Sequence, residues 1–232
     1  MTVAVRSTLC ACVCVVAICA AGDGLATLVA RGAGGKAMAV NSQGAPFLAA
    51  GGEDGAIGRV ISRNRMLPFV HCGSRLASLA FDASDNLYAT ASRRQAILRI
   101  TPWGEISVFA AGFAAPEGLA MGHHGELFVT DPGASRVYRV SPTGKMTVLA
   151  SGLPGGSAIV ASADGQYLFV ADAKRRIWRF HADGTARTEF AAFADEGRLA
   201  GMALDQEGNL YVARDGAGKV CVLNREGKLA KT

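Results

Sequence analysis

Glu117 is the residue whose type and setting most invite chemistry. It lies in the string PEGLAMGHHGELFVTD (116–131), just ahead of a glycine and a short apolar run. A carboxylate part-buried at the mouth of a channel has a raised pKa and can act as a metal ligand or a general base. An ion pair with Lys36 or Arg75 is the structural alternative for the same side chain. Asp131, Asp172 and Asp215 recur at one place in successive repeats. They read as channel carboxylates or as Asp residues accepting backbone N–H groups within their own turns. Recurrence favours the turns, because a site needs unlike residues converging once. His123 and His124 resemble a ligand pair but fall in a polar turn, and His71 and His181 stand alone. No phosphate-binding glycine loop, GxSxG elbow, HExxH or kinase signature is present.

These residues belong to short strands. In 116–140, GLAM is a small apolar run, GHHGE a turn, ELFVTD an apolar strand, DPGAS a second turn and RVYRV an alternating strand. The plan recurs in SLAFDASDNLYATASRRQAILRI (78–100), AIVASADGQYLFVADAKRRIWRF (158–180) and GMALDQEGNLYVARDGAGKVCVL (201–223). AMAVNSQGAPFLAAGGEDGAIGRV (37–60) is a degenerate fifth copy. Anchoring on Met38, Leu79, Leu119, Ile159 and Met202 gives spacings of 41, 40, 40 and 43 residues. A period in that range, filled with strands and turns, predicts an all-β fold: a β-propeller of four-stranded blades with five repeats, starting near 36, 77, 117, 157 and 200.

In an antiparallel blade the start of the innermost strand and the end of the second strand lie at one end of the sheet. Lys36, Glu117 and Ser157 are therefore expected on one face with the turns after the second strands. Those turns contribute Arg93, Arg94, Arg136, Lys174, Arg175, Arg176, Arg214 and Lys219. A cationic rim at a concave mouth raises the local concentration of anions. Lys36, Ser157, Arg94, Arg175 and Arg214 are the candidate ligand-binding side chains, for a small anionic molecule or lactone in the channel or for a protein partner. A solvated rim of unrelated charges is the bland alternative. The His123–His124 turn emerges on the opposite face.

The formal charge of +5 and the lack of an aromatic-interleaved basic stripe argue against nucleic acid. Half the residues are hydrophobic and 29 are glycine, which suits short strands and tight turns. Residues 1–22 carry one Arg before an apolar run of about fifteen residues, a secretory-signal pattern too short for a comfortable membrane span. Cleavage after Ala21 is the expectation, leaving a propeller domain over 23–232. The protein would then be exported, periplasmic or secreted. An uncleaved membrane anchor and a cytoplasmic chain with a misread start are the alternatives. Four of six cysteines fall in that segment. Cys72 and Cys221 remain, as buried thiols or as a disulfide. Residues 25–36, LATLVARGAGGK, have the character of a blade's fourth strand and could clasp the ring shut.

The strings PEGLAMGHHGELFVTD, SADGQYLFVAD and GMALDQEGNLYVA resemble the gluconolactonase, senescence marker protein and luciferin-regenerating enzyme family. They are similar, more loosely, to NHL-repeat and strictosidine synthase-like propellers. The resemblance runs from about residue 36 to 229, with RVYRVSPTGK (136–145) and KVCVLNREGK (219–228) fitting too. Members usually have six blades, which implies a five-bladed variant, a truncated chain or an overlooked blade. The resemblance also implies lactone hydrolysis with one divalent metal (Ca, Zn or Mn), bound just before the glycine that opens successive inner strands. The corresponding positions here are Lys36, Ala77, Glu117, Ser157 and Ala200. Glu117 alone keeps a charged oxygen ligand, Ser157 replaces Asn and Ala200 replaces Asp. One carboxylate and one hydroxyl are a poor set for a hard cation, and Lys36 would repel it. Two expectations stand. One is a metal-assisted hydrolase of a sugar lactone or related ester, with Glu117 as metal ligand and catalytic residue. The other is a non-catalytic, NHL-like propeller that binds an anionic ligand or a protein through its basic face, with no cofactor.

Overall fold

A computed structural model describes residues 37–62, 65–194, 197–215 and 219–231. The expected signal segment, residues 25–36 and Lys36 lie outside these residues. The strands form five antiparallel four-stranded sheets, each meandering in sequence order, and the molecule is a five-bladed β-propeller. Blade 1 holds β1 (Ala37–Val40), β2 (Pro46–Ala49), β3 (Ala56–Ser62) and β4 (Arg65–His71). Blade 2 holds β5 (Leu76–Phe81), β6 (Leu87–Ala91), β7 (Ala96–Ile100) and β8 (Ile106–Ala111). Blade 3 holds β9 (Leu119–Met121), β10 (Leu127–Asp131), β11 (Arg136–Val140) and β12 (Met146–Ser151). Blade 4 holds β13 (Ile159–Ala161), β14 (Tyr167–Ala171), β15 (Arg176–His181) and β16 (Thr188–Ala192). Blade 5 holds β17 (Arg198–Leu204), β18 (Leu210–Asp215), β19 (Lys219–Leu223) and β20 (Leu229–Lys231).

The second strand of each blade is the most buried because it is covered on both faces. All five residues of β6 and of β10 are buried. Four apolar clusters fill the spaces between consecutive blades, from blades 1 and 2 through to blades 4 and 5. Each joins the leading face of one sheet to the trailing face of the next. Ile97, Tyr88 and Ala110 of blade 2, for example, meet Leu127, Val129 and Val140 of blade 3. On the leading face an aromatic residue of the second strand stands opposite an arginine of the third: Phe47 and Arg59, Tyr88 and Arg99, Phe128 and Arg139, Phe169 and Arg179. In blade 5 the pair is Tyr211 and Val222. The link after each outer strand also drops a side chain between blades, namely Cys72, Phe113, Leu153 and Phe193.

Cys72 and Cys221 are free, buried thiols in different blades. Burial pushes the Cys72 thiol up to about 11, against the opposing pull of the Arg94 charge. Among the described residues no helix is long and apolar enough to cross a membrane.

Candidate functional site

The expected mouth is built where inner strands begin. Glu117 sits two residues before β9, and its backbone N–H donates to the Thr130 carbonyl at 2.9 Å. Thr90 of the preceding blade, fully buried, donates its hydroxyl to the Glu117 carbonyl at 2.9 Å. Thr130, equally buried, accepts the Gly118 N–H at 2.8 Å. The adjoining link is fixed from below by Asp131, whose carboxylate accepts the N–H groups of Ala114 and Ala115 at 2.7 and 2.8 Å. Glu117 thus projects from a backbone held by two blades.

Blade 4 supplies Ser157 beside it. A methyl group on Gly118 would lie 2.6 Å from the Ser157 carbonyl, so the two inner strands approach as closely as a glycine permits. The Ser157 hydroxyl donates to the Leu199 carbonyl at 3.0 Å and anchors the start of β17. That anchor brings in a residue outside the sequence-based candidates. Arg198 opens β17 and places Nη2 3.7 Å from Glu117 Oε1, with side chains 73% and 38% exposed. The mouth therefore joins a carboxylate from blade 3, a hydroxyl from blade 4 and a guanidinium from blade 5. Arg198 lies two residues ahead of the Ala200 repeat position in the most widely spaced repeat. Its charge was the available signal.

The other candidates divide. Arg94 is exposed, with its guanidinium beside Gly73 in the link between blades 1 and 2, apart from Glu117. Arg175 and Arg214 converge on Phe193. Arg175 Nε donates to the Phe193 carbonyl at 3.4 Å, and the Arg214 guanidinium stacks 4.9 Å from the Phe193 ring centroid. Arg214 is only 4% exposed, so its charge lies beneath the rim. Arg176 is turned to Asp172 and Trp178, whereas Arg75, Arg136, Lys174 and Lys219 are exposed.

Asp172 illustrates the turn role. It is completely buried and accepts the N–H groups of Lys174 and Arg176, Arg176 Nε and Trp178 Nε1 at 2.8 to 3.0 Å. Burial alone would raise its carboxyl. The hydrogen bonds from Trp178 and Arg176 and the Arg176 charge outweigh that and hold it below the ordinary carboxylate range. Asp215 is exposed and faces Arg198 across β17 and β18.

His123 and His124 lie in the β9–β10 turn at the opposite end of blade 3. Their rings meet edge-on at 5.2 Å, and the His124 N–H donates to Glu126. His181 ends β15 at that same end and pairs with Tyr167. His71 ends the outermost strand of blade 1, 3.3 Å from Asp54. Among the described residues no three His, Cys, Asp or Glu side chains converge as metal ligands. Arg198 Nη2 is a cationic neighbour of Glu117. A guanidinium at that distance disfavours a hard divalent ion on the same carboxylate.

Comparison with known proteins decides the family. The sequence profile of the virginiamycin B lyase family matches residues 26–232. The chain belongs to that family. No curated protein sequence matches this family member. Among solved structures it is similar to virginiamycin B lyase from Staphylococcus aureus, with 18% identity over 85% of this chain and 69% of that one, at a TM-score of 0.69. A gluconolactonase from Xanthomonas campestris shares 22% identity over 84% and 73% of the two chains, at a TM-score of 0.74. A chain of a nidogen/laminin complex shares 26% identity over 76% and 74%, at a TM-score of 0.69. The resemblance to gluconolactonases holds at the level of the propeller, while the family assignment goes to the lyases.

Proposed function

We propose that this family member is a ligand-binding propeller that takes a small carboxylated or phosphorylated molecule at the mouth shared by blades 3, 4 and 5. The Glu117–Arg198 pair carries the reading. An exposed guanidinium beside the starts of the inner strands is a fork for an oxyanion, and Glu117 is the internal counter-charge it leaves when ligand arrives. Arg94, Lys174 and Lys219, all exposed on the same face, would draw anions toward it. A metal-assisted hydrolase would need hard oxygen ligands around Glu117, and the Arg198 charge beside it supports the anion reading over that one.

Family membership supports a catalytic alternative, a lyase or lactonase acting on a cyclic ester. A histidine-to-alanine variant of the Staphylococcus aureus lyase, solved with Quinupristin, is catalytically inactive. In the present chain the histidines lie at the far end or at the outer edge of blade 1, away from Glu117. This placement favours binding.

Calorimetric titration of the full chain with gluconate and with inorganic phosphate at low salt separates the readings. Saturable binding is expected, weakened roughly tenfold by Arg198→Ala, about 1.4 kcal/mol, and by high salt. Glu117→Gln should strengthen it by releasing Arg198. Absence of binding to either anion would overturn the proposal. So would breakdown of gluconolactone or Quinupristin by the chain, abolished by Glu117→Gln.

A further inference from the structure

Among the described residues, the outer rim of the ring has one gap whose two walls are both apolar, between blades 1 and 2. The first wall of each gap belongs to an outer strand, at the residue opposite the leading-face position of the third strand. That residue is Ser107, Thr147, Thr188 and Lys231 in blades 2 to 5. The Ser107 and Thr147 hydroxyls donate to the carbonyls of Arg99 and Arg139 at 3.5 and 3.2 Å. In blade 1 the residue is Leu67, opposite Arg59. The facing wall is β8. Ile106 and Val108 pair there with Ile100 and Leu98, which lie in the cluster between blades 1 and 2, so both look toward β4. Leu67, Ile106 and Val108 are 46%, 39% and 61% exposed.

Trp103 extends this strip. Its turn is tightly held: the Gly104 N–H donates to the Thr101 carbonyl at 2.9 Å and the Glu105 N–H to the Thr101 hydroxyl at 3.1 Å. A methyl group on Gly104 would lie 3.1 Å from Val70 Cγ1, so the turn rests on β4. The indole itself is 85% exposed. No ring or guanidinium stacks on it among the described residues. The same turn position holds Thr143, Asp183 and Glu226 in blades 3 to 5. Thr143 bonds to Ser141 at 2.8 Å and Asp183 to Thr185 at 2.7 Å, inside their own turns. Trp103 closes no turn, and an apolar strip of this kind marks an interaction surface.

We infer that this strip is a dimer interface and that its occupant is a second copy of this chain. The charges around it select that partner. Arg59 and Arg65 are exposed on the β3–β4 wall, and Glu105 is exposed beside Trp103 on the other. None of the three has an ion pair among the described residues. One patch that carries cations on one side of an apolar centre and an anion on the other is complementary to itself. A twofold contact sets Trp103 and Glu105 of each copy against Leu67, Arg59 and Arg65 of the other, and every contact is made twice. Trp103 is the anchor, an aromatic side chain already fixed in place by its turn. An anionic membrane would repel Glu105, next to the residue that would have to enter it.

Sedimentation equilibrium of the full chain over a wide range of concentration tests this. A reversible monomer–dimer equilibrium is expected. Trp103→Ser and Leu67→Thr, the second of which installs the residue type of the other blades, should each raise the dimer Kd roughly tenfold or more. Glu105→Lys should raise it too, and more at low salt than at high. Val148→Ser, at an exposed valine of blade 3 outside the strip, should leave it unchanged. A monomer mass at every concentration overturns the inference. So does a dimer that Trp103→Ser and Leu67→Thr leave intact, or that Val148→Ser weakens as much. Monomers that instead float with anionic vesicles also overturn it and assign the strip to a membrane surface. Should Trp103→Ser or Leu67→Thr lower the Tm, Glu105→Lys decides, and a dimer indifferent to it overturns the inference.

Discussion

Asp172 carries a function in stability that its position at the mouth end of a strand disguises. Four donors and the Arg176 charge hold its buried carboxyl below the ordinary range. A carboxyl that titrates below its unfolded value of about 3.9 lends stability that is complete above that pH and is lost as the pH falls through the folded value. Asp172→Asn leaves the partly exposed Arg176 without its counter-charge and should cost about 1.5–3 kcal/mol at pH 7. The gap in Tm between the variant and the unsubstituted protein should be wide at neutral pH and narrow toward pH 2. A constant gap would mean that packing, and not charge, makes the difference. The recurrence of Asp after second strands pointed to own-turn bonds, which Asp172 makes, whereas Asp131 accepts its shorter bonds from the link before β9. The burial of Arg214 was not legible in the same way. A charged residue beside a Gly-rich turn reads as exposed, whereas Arg214 lies within β18 and stacks on the Phe193 ring from the link before the blade. Arg198 escaped notice for a related reason: the repeat that holds it is the most widely spaced, and position counting lands on Ala200.

At the scale of elements, the inner strands set the geometry of the mouth by how closely they approach. Gly118 precedes β9 with the Ser157 carbonyl and the Thr130 hydroxyl where a methyl group would go, at 2.6 and 2.8 Å. Gly201, inside β17, has open space around the same direction. Gly118→Ala should therefore lower stability by about 1–3 kcal/mol in urea unfolding, and Gly201→Ala should be neutral or stabilising. Equal effects would show that the inner strands can separate at no cost. The strands themselves were legible, because alternation and turn residues are local signals. The starts of the inner strands fell close to the expected repeat positions for the same reason. What lies between sheets was not legible. Which aromatic residue meets which arginine, or that Val222 replaces that arginine in blade 5, depends on the register between strands and on the neighbouring blade, and the 40-residue period specifies neither.

At the scale of the whole molecule, five similar blades carry one asymmetric mouth. A net charge of +5 sits on a propeller that carries Arg94, Lys174, Arg198 and Lys219 exposed where the inner strands begin, while Asp131 on that face is engaged by the link before β9 and Asp172 by its own turn. The same propeller serves lyases and lactonases among the structural relatives, so the fold leaves the chemistry open. The Arg198 guanidinium against Glu117 is the element on which the proposed anion binding turns. Thermal melting of the full chain, first with chelator, then with calcium, zinc or manganese, and separately with gluconate or phosphate, tests that claim most directly. A ligand present at a hundredfold excess over its Kd adds about 2.7 kcal/mol, enough to raise Tm by several degrees. The account predicts such a rise with an anion, roughly halved in Arg198→Ala at the same ligand concentration, and no rise with any of the metals. A rise with one metal that Glu117→Ala abolishes would contradict it and restore the metal-assisted hydrolase.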